Sequence, residues 1–338
     1  MPEAKSAPYT VSFGKVAPEQ LTEQLYGVIP EIEWKVFADD IAAIQKLKRA
    51  KNAIILAHNY QTPEIFHGVA DIVGDSLALA RAARDTDAEI IVMAGVHFMA
   101  ETAKILNPNK KVLIPDLKAG CSLAESITVA DMKLLRQKYP GVPIVTYVNT
   151  SAAIKALSDI CCTSANAKKI VESLGVDRVI MVPDEYLAQN IARETKVKII
   201  AWRGHCEVHE RFTAAEIADL RQSHQGIVVL AHPECPPDVV MASDFAGSTA
   251  ALIDYVEQKQ PARVVLLTEC SMSDNVALSA AKRGQTTEFI RPCNLCPHMK
   301  RITLAGIRKC LEESQFVVTV ADDLIAKSRL AIDRMLAV

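Results

Sequence analysis

No stretch of this chain approaches the roughly 18 consecutive apolar residues that a membrane-spanning helix needs, so no membrane partner is expected. Charge of one sign is also missing. With 38 Lys and Arg against 40 Asp and Glu, the net charge is −2, which argues against a nucleic-acid binder held by phosphate neutralisation. No glycine-rich P-loop and no Gly-x-Gly-x-x-Gly follows an apolar run, so the usual nucleotide-phosphate loops are excluded. The opening residues, Met-Pro-Glu-Ala-Lys-Ser, lack the hydrophobic core of a signal peptide, and a cytoplasmic location is expected. The 9 cysteines are odd in number and come with no secretion signal, so they do not form a disulfide framework. Cys293 and Cys296 have no second Cys-x-x-Cys to complete a four-cysteine knuckle.

What the chain does have is 338 residues, half of them apolar, enough for two or three domains or one large α/β body. Short runs rich in Ile and Val at 53–57, 90–94, 112–114, 144–148, 178–182, 198–201, 227–231, 263–267 and 286–290 alternate with helix-like stretches. Such runs suit strands buried on both faces of parallel sheets, with helices as crossovers. The expected organisation is an N-terminal arm (1–35), three α/β domains (36–130, 131–215 and 216–315) and a tail (316–338) whose helix packs back on the first domain.

A repeat runs through this alternation. Cys121, Cys206 and one of Cys293 or Cys296 recur at steps of 85 and then 87 or 90 residues. Upstream of them His58, Asn149 and His232 each follow an apolar run, and Ser76, Ser164 and Ser248 come 18, 15 and 16 residues later. One supersecondary unit used three times would deliver a strand-end polar group, a helix-start hydroxyl and a thiolate from each copy. In parallel α/β sheets, ligand-binding loops lie beyond the carboxyl ends of the strands. Three such domains about a pseudo-threefold axis would turn all those ends, Tyr147 included, towards one central site.

Three thiolates on such an axis make a metal site with an open coordination position. Each serine is equally a simple helix N-cap or part of an anion-holding helix start. Cys206 and His209 alone are compatible with zinc. His232 with Glu234 after a buried strand suits substrate binding and proton transfer. Cys161, Cys162, Cys270 and Cys310 are expected to be small buried hydrophobes, and Cys235 lies beside the proposed site. A zinc-dependent hydrolase or lyase with Cys, His and Glu ligands is one reading. A non-catalytic iron–sulfur carrier is another, although carriers usually use four thiolates.

The motifs Ala57-His58-Asn59-Tyr60, Gly74-Asp75-Ser76, Gly120-Cys121-Ser122, Tyr147-Val-Asn149-Thr150, Cys162-Thr163-Ser164-Ala-Asn166, Gly204-His205-Cys206-x-Val-His209, His232-Pro-Glu234-Cys235, Gly247-Ser248-Thr249 and Cys296-Pro-His-Met-Lys300, in this order, resemble those of the type A quinolinate synthases. The likeness runs from about residue 35 to the C-terminus. It implies three pseudo-symmetric α/β domains and a [4Fe–4S] cluster held by Cys121, Cys206 and Cys296. The serine-to-cysteine spacing slightly prefers Cys293, but the family's ligand directly precedes the proline, as Cys296 does. The family condenses iminoaspartate with dihydroxyacetone phosphate to quinolinate, phosphate and water in NAD biosynthesis. L-aspartate oxidase or aspartate dehydrogenase would act upstream. The resemblance implies Glu234 as general acid/base and Tyr60 as a second proton donor or acceptor. His58, Tyr147, Asn149, His209 and His232 would position substrate, and Ser76, Ser164, Ser248 and Thr249 would cradle its anionic ends. A Cys293–Cys296 disulfide that competes with the cluster is a further expectation for this segment.

Overall fold

The structure, a computed structural model, describes residues 31–292 and 294–338. The expected arm before residue 31 and any role of Cys293 therefore lie outside the described residues.

Among the described residues twelve strands form three separate four-stranded parallel sheets. The first contains β1 (Ala53–His58), β2 (Ile72–Gly74), β3 (Ile90–Ala94) and β4 (Lys111–Leu113). The second contains β5 (Ile144–Tyr147), β6 (Ile160–Cys162), β7 (Arg178–Val182) and β8 (Lys198–Ala201). The third contains β9 (Val228–Ala231), β10 (Phe245–Ala246), β11 (Arg263–Leu267) and β12 (Glu288–Ile290). All three share one order, with the second strand at one edge, then the first, third and fourth. β1 and β3 are buried along their length and β7 after its first residue, as expected for Ile/Val runs covered by helices on both faces.

The edge strands β2, β6 and β10 have three, three and two residues, too short to carry a periodic signal. They are held instead by one side chain. Asp71 Oδ2 accepts the backbone N–H of Ile55 (2.8 Å), Asp159 Oδ2 that of Ile144 (2.7 Å), and Asp244 Oδ2 that of Val229 (2.7 Å). Each aspartate thus ties the entry of an edge strand to the first strand of its sheet. Each also meets a cation on the helix before that first strand: Lys48 at 2.6 Å, Arg136 at 2.8 Å and Arg221 at 3.2 Å.

The first sheet and one face of the second share one continuous apolar core, the other face of the second has its own cluster, and the third has a separate cluster on each of its faces. The helix Leu304–Glu313 follows the third sheet in sequence yet packs on the helix Glu31–Ala50, with Arg308 3.1 Å from Asp40. Residues 316–318 run along the outer edge of β4, where Val318 N–H donates to Val112 O at 2.8 Å, covering an otherwise open sheet edge. The last helix, Asp322–Leu336, lies on β6 and the short helix Ala152–Lys155 of the second unit, and also touches the helix His97–Leu106 of the first. These C-terminal elements clamp the first two units together.

The Lys48–Asp71 pair is buried, with side chains 2 % and 14 % exposed, while Arg221 and Asp244 are about two-fifths exposed. Removing one partner of a buried pair strands the other charge and costs about 3–5 kcal/mol. Asp71→Ala should therefore lower the urea midpoint by that equivalent, and Lys48→Met on the same background should recover most of it. Asp244→Ala, which loses a neutral-donor hydrogen bond and a screened ion pair, should cost only about 1–2 kcal/mol.

Candidate active site

Counting from the aspartate anchors aligns the three units residue by residue. Three positions after the anchored N–H come His58, Tyr147 and His232, and two residues further come Tyr60, Asn149 and Glu234. The equivalent of the two histidines is thus Tyr147, and Asn149 matches Tyr60 and Glu234. The apolar run before Asn149 extends one residue past β5, which had hidden this register. Five residues after the aspartates come Ser76, Ser164 and Thr249.

All nine of these residues, with Cys121, Cys206, Cys296 and His209, line one cavity of about 70 Å³ at the carboxyl ends of the three sheets, room for several waters. Ser248 is not in its wall. Its hydroxyl is the N-cap of the helix Thr249–Lys259, accepting from Ala251 N–H, as Asp75 caps the helix Ser76–Asp85 through Ala78 N–H. Ser76 and Thr249 occupy the first helical turn and face inward, and Asn59 Nδ2 donates to Thr249 Oγ1 at 2.9 Å. The cavity therefore meets helix starts and hydroxyls, which suits anionic groups. No Lys or Arg is in its wall among the described residues.

Three thiols come from equivalent loops after β4, β8 and β12. Each sulfur accepts backbone N–H groups two and three residues on: Leu123 and Ala124 at Cys121, Val208 and His209 at Cys206, His298 and Met299 at Cys296. Seven residues beyond each cysteine stands a threonine N-cap, Thr128, Thr213 or Thr303. That interval assigns Cys296 to the repeat and was readable in the sequence. Burial pushes the Cys121 thiol up to about 12, Cys206 well above its ordinary value and Cys296 to about 11. Thiolates there need a nearby positive charge, which a bound metal would supply. Three convergent thiols with ready N–H donors fit a cluster ligated by three cysteines. Gly204 makes the Cys206 loop possible, because a Cβ there would lie 2.4 Å from Pro183 O and 2.3 Å from Ser126 Oγ.

Glu234 is the centre of the polar network. Its Oε1 accepts from the Tyr147 hydroxyl at 2.5 Å and its Oε2 from His209 Nδ1 at 2.9 Å. Burial opposes its charge, but His209 and His232 with these hydrogen bonds outweigh burial and hold the carboxyl below the usual range. His209 Nε2 lies 2.9 Å from Thr268 Oγ1, which is 2.6 Å from the Tyr60 hydroxyl. Thr268, directly after β11, was missed in the sequence although it ends an apolar run as His58 does. Burial also keeps Tyr60 and Tyr147 protonated well past their ordinary range. His58 and His232 each accept, at Nδ1, the backbone N–H two residues on (3.2 and 3.3 Å), so the proton of each neutral ring sits on Nε2. Cys206, His209 and Glu234 also offer ligand atoms all within 4.8 Å of one another. Cys161, Cys162, Cys235 and Cys310 are buried away from that wall, and Cys270 is half-buried.

Burial lowers His58 to about 4 and His232 to about 3. As pH falls below about 6.5 the unfolded chain takes up these protons before the folded one, so stability falls from pH 6.5 towards pH 4. Each histidine adds up to about 1.4 kcal/mol per pH unit in that window. Urea midpoints at pH 7.5, 6 and 5 should show this slope, and His58→Asn should flatten it. A metal group held by all three thiols would be lost in each of Cys121→Ala, Cys206→Ala and Cys296→Ala and kept in Cys310→Ala, which metal analysis of anaerobically purified protein checks.

Comparison with known proteins agrees with this geometry. Residues 42–337 match the family model described as quinolinate synthetase A protein. The chain is 70 % identical over 318 residues to quinolinate synthase 2 of Mesorhizobium japonicum, covering 94 % of this chain and 97 % of that one. It is 66 % identical over 324 residues to the quinolinate synthase of Agrobacterium fabrum, covering 96 % and 93 %. It is 70 % identical over 302 residues to that of Xylella fastidiosa, covering 89 % and 88 %. With a family match across nearly its whole length and a triplicated parallel α/β body converging on one polar cavity, the chain belongs to the quinolinate synthetase A family, enzymes of NAD biosynthesis.

Proposed function

We propose that this enzyme condenses iminoaspartate with dihydroxyacetone phosphate to quinolinate, phosphate and water, using a [4Fe–4S] cluster held by Cys121, Cys206 and Cys296. The observation that carries the reading is the convergence of three thiols from equivalent loops on the cavity that also holds Glu234 and Tyr60. Held by these three cysteines, such a cluster would supply Lewis acidity for dehydration.

The remaining steps fall to side chains. Ser76, Ser164 and Thr249, at or just before helix starts, take the carboxylate and phosphate ends of the substrates. The Nε2–H groups of His58 and His232 donate to carbonyl or carboxylate oxygen. Asn149 has a buried Oδ1 without a partner, free to accept from an imine or hydroxyl proton. Glu234, already ionised, accepts a proton from carbon or nitrogen, and Tyr60, kept protonated by burial, donates one to a departing hydroxyl. Ser248 acts on this site only through its cap. L-aspartate oxidase or aspartate dehydrogenase would supply the unstable imine in the cytoplasm. No helix among the described residues is long and apolar enough to cross a membrane.

The cluster of Cys206, His209 and Glu234 favours a second reading, a mononuclear zinc enzyme. In that reading Cys121 and Cys296 are dispensable, and the purified protein holds zinc without sulfide.

Anaerobically purified protein given both substrates should form quinolinate. Glu234→Gln should retain iron and sulfide and lose about 10²–10⁴ in kcat. Near-normal turnover in that variant removes Glu234 from proton transfer.

A further inference from the structure

Each of the three inward residues Tyr60, Asn149 and Glu234 sits between two backbone carbonyls that share one nitrogen donor. Asn190 Nδ2 donates to Pro233 O (2.9 Å) and Cys235 O (3.0 Å), bracketing Glu234. Asn275 Nδ2 donates to Asn59 O (3.2 Å) and Gln61 O (2.8 Å), bracketing Tyr60. Lys155 Nζ donates to Val148 O (2.8 Å) and to Thr150 O, bracketing Asn149. Two of these donors reach across domain seams. Asn190, in the helix Glu185–Ala192 of the second unit, holds a loop of the third. Asn275, in the helix Cys270–Lys282 of the third unit, holds a loop of the first.

The three donors are at most 5 % exposed, so water does not compete for the carbonyls. A side chain that joins the carbonyls on both sides of a residue fixes the backbone torsions of that residue, and with them the direction of its Cα–Cβ bond. For Glu234 that direction sets the reach to Tyr147 and His209. For Tyr60 it sets the reach to Thr268. Proton-transfer geometry is unforgiving, and a misplacement of about 1 Å can cost about 10²-fold in rate.

We propose that Asn190 and Asn275 are positioning residues that aim Glu234 and Tyr60 from the neighbouring domain, each through the two carbonyls it joins. This rests on the roles of Glu234 and Tyr60 given above.

The test is a pair of double-mutant cycles on the cluster-loaded enzyme, Asn190→Ala with Glu234→Gln and Asn275→Ala with Tyr60→Phe. Each asparagine variant alone should lower kcat at least tenfold with KM within threefold and iron and sulfide unchanged. Added to its partner variant, each should cost less than twofold more, because the group it aims is already gone. Hydrogen exchange on the protein, measured without turnover, should quicken at 232–236 in Asn190→Ala and at 58–61 in Asn275→Ala, leaving the central strands protected. Losses that multiply in the double variants, or single variants with wild-type kcat, overturn the proposal. If Glu234→Gln or Tyr60→Phe itself turns over normally, the fault lies in the underlying role and not in the bracket. Should an alanine variant fail to fold, Asn190→Leu and Asn275→Leu replace it: the branched apolar side chain refills most of the space, has no donor, and carries the same expected loss and the same cycle.

Discussion

Asp71, Asp159 and Asp244 each hold a backbone N–H of the first strand of their sheet, and the layout of the site is counted from that bond. An edge strand of two or three residues has too few ladder hydrogen bonds to define its own register. The carboxylate supplies the missing constraint and places the helix start that follows at a fixed depth beside the strand end. Strand-end group, inward residue and helix-start hydroxyl then fall at the same offsets in all three units. The cation on the preceding helix ties that helix to the same point. In the first unit, where Lys48 and Asp71 are buried, losing one partner of this tie would strand the other charge away from water.

The electrostatics of the cavity follow from what encloses it. Its wall has the carboxyl groups of Asp75, Glu207 and Glu234 and three thiols, and among the described residues no Lys or Arg. Such a site repels an anionic substrate unless something balances the charge. Helix N-termini and neutral hydroxyls do part of this, and the N–H groups aimed at each sulfur do part. A metal group bound by the thiols would set its own positive charge against their thiolates and would lower their pKa values. Cations are present one layer back. Lys300 meets Glu269 at 2.8 Å and donates to Tyr60 O, and Lys155 donates to the carbonyls around Asn149. There they order the loops and leave the cavity to hydrogen-bonding groups.

Nearly all the residues singled out in the sequence meet in the cavity, because strand-end and loop-end positions of parallel α/β units converge whatever their order along the chain. The departures have local causes. By spacing Ser248 is the partner of Ser76 and Ser164, but the backbone spends its hydroxyl as a cap and turns Thr249 inward. By spacing Asn149 matches the histidines, because its apolar run is one residue longer than its strand. The edge strands left no trace in the pattern. Thr268, Asn190 and Asn275 look like ordinary polar residues in the sequence, since what they contact is more than forty positions away or in another unit.

The sequence by itself determined the triplication, the parallel α/β class, the three cysteines and the short polar motifs, because these depend on residue type and local spacing. Tertiary structure decided which residues are equivalent across units, which hydroxyls face the cavity and which nitrogen donors hold its loops. It also decided that the helix Leu304–Glu313 serves the first unit and not the third it follows in the chain. Those choices depend on hydrogen bonds between segments far apart along the chain, and only the packed arrangement of three sheets brings their donors and acceptors within reach.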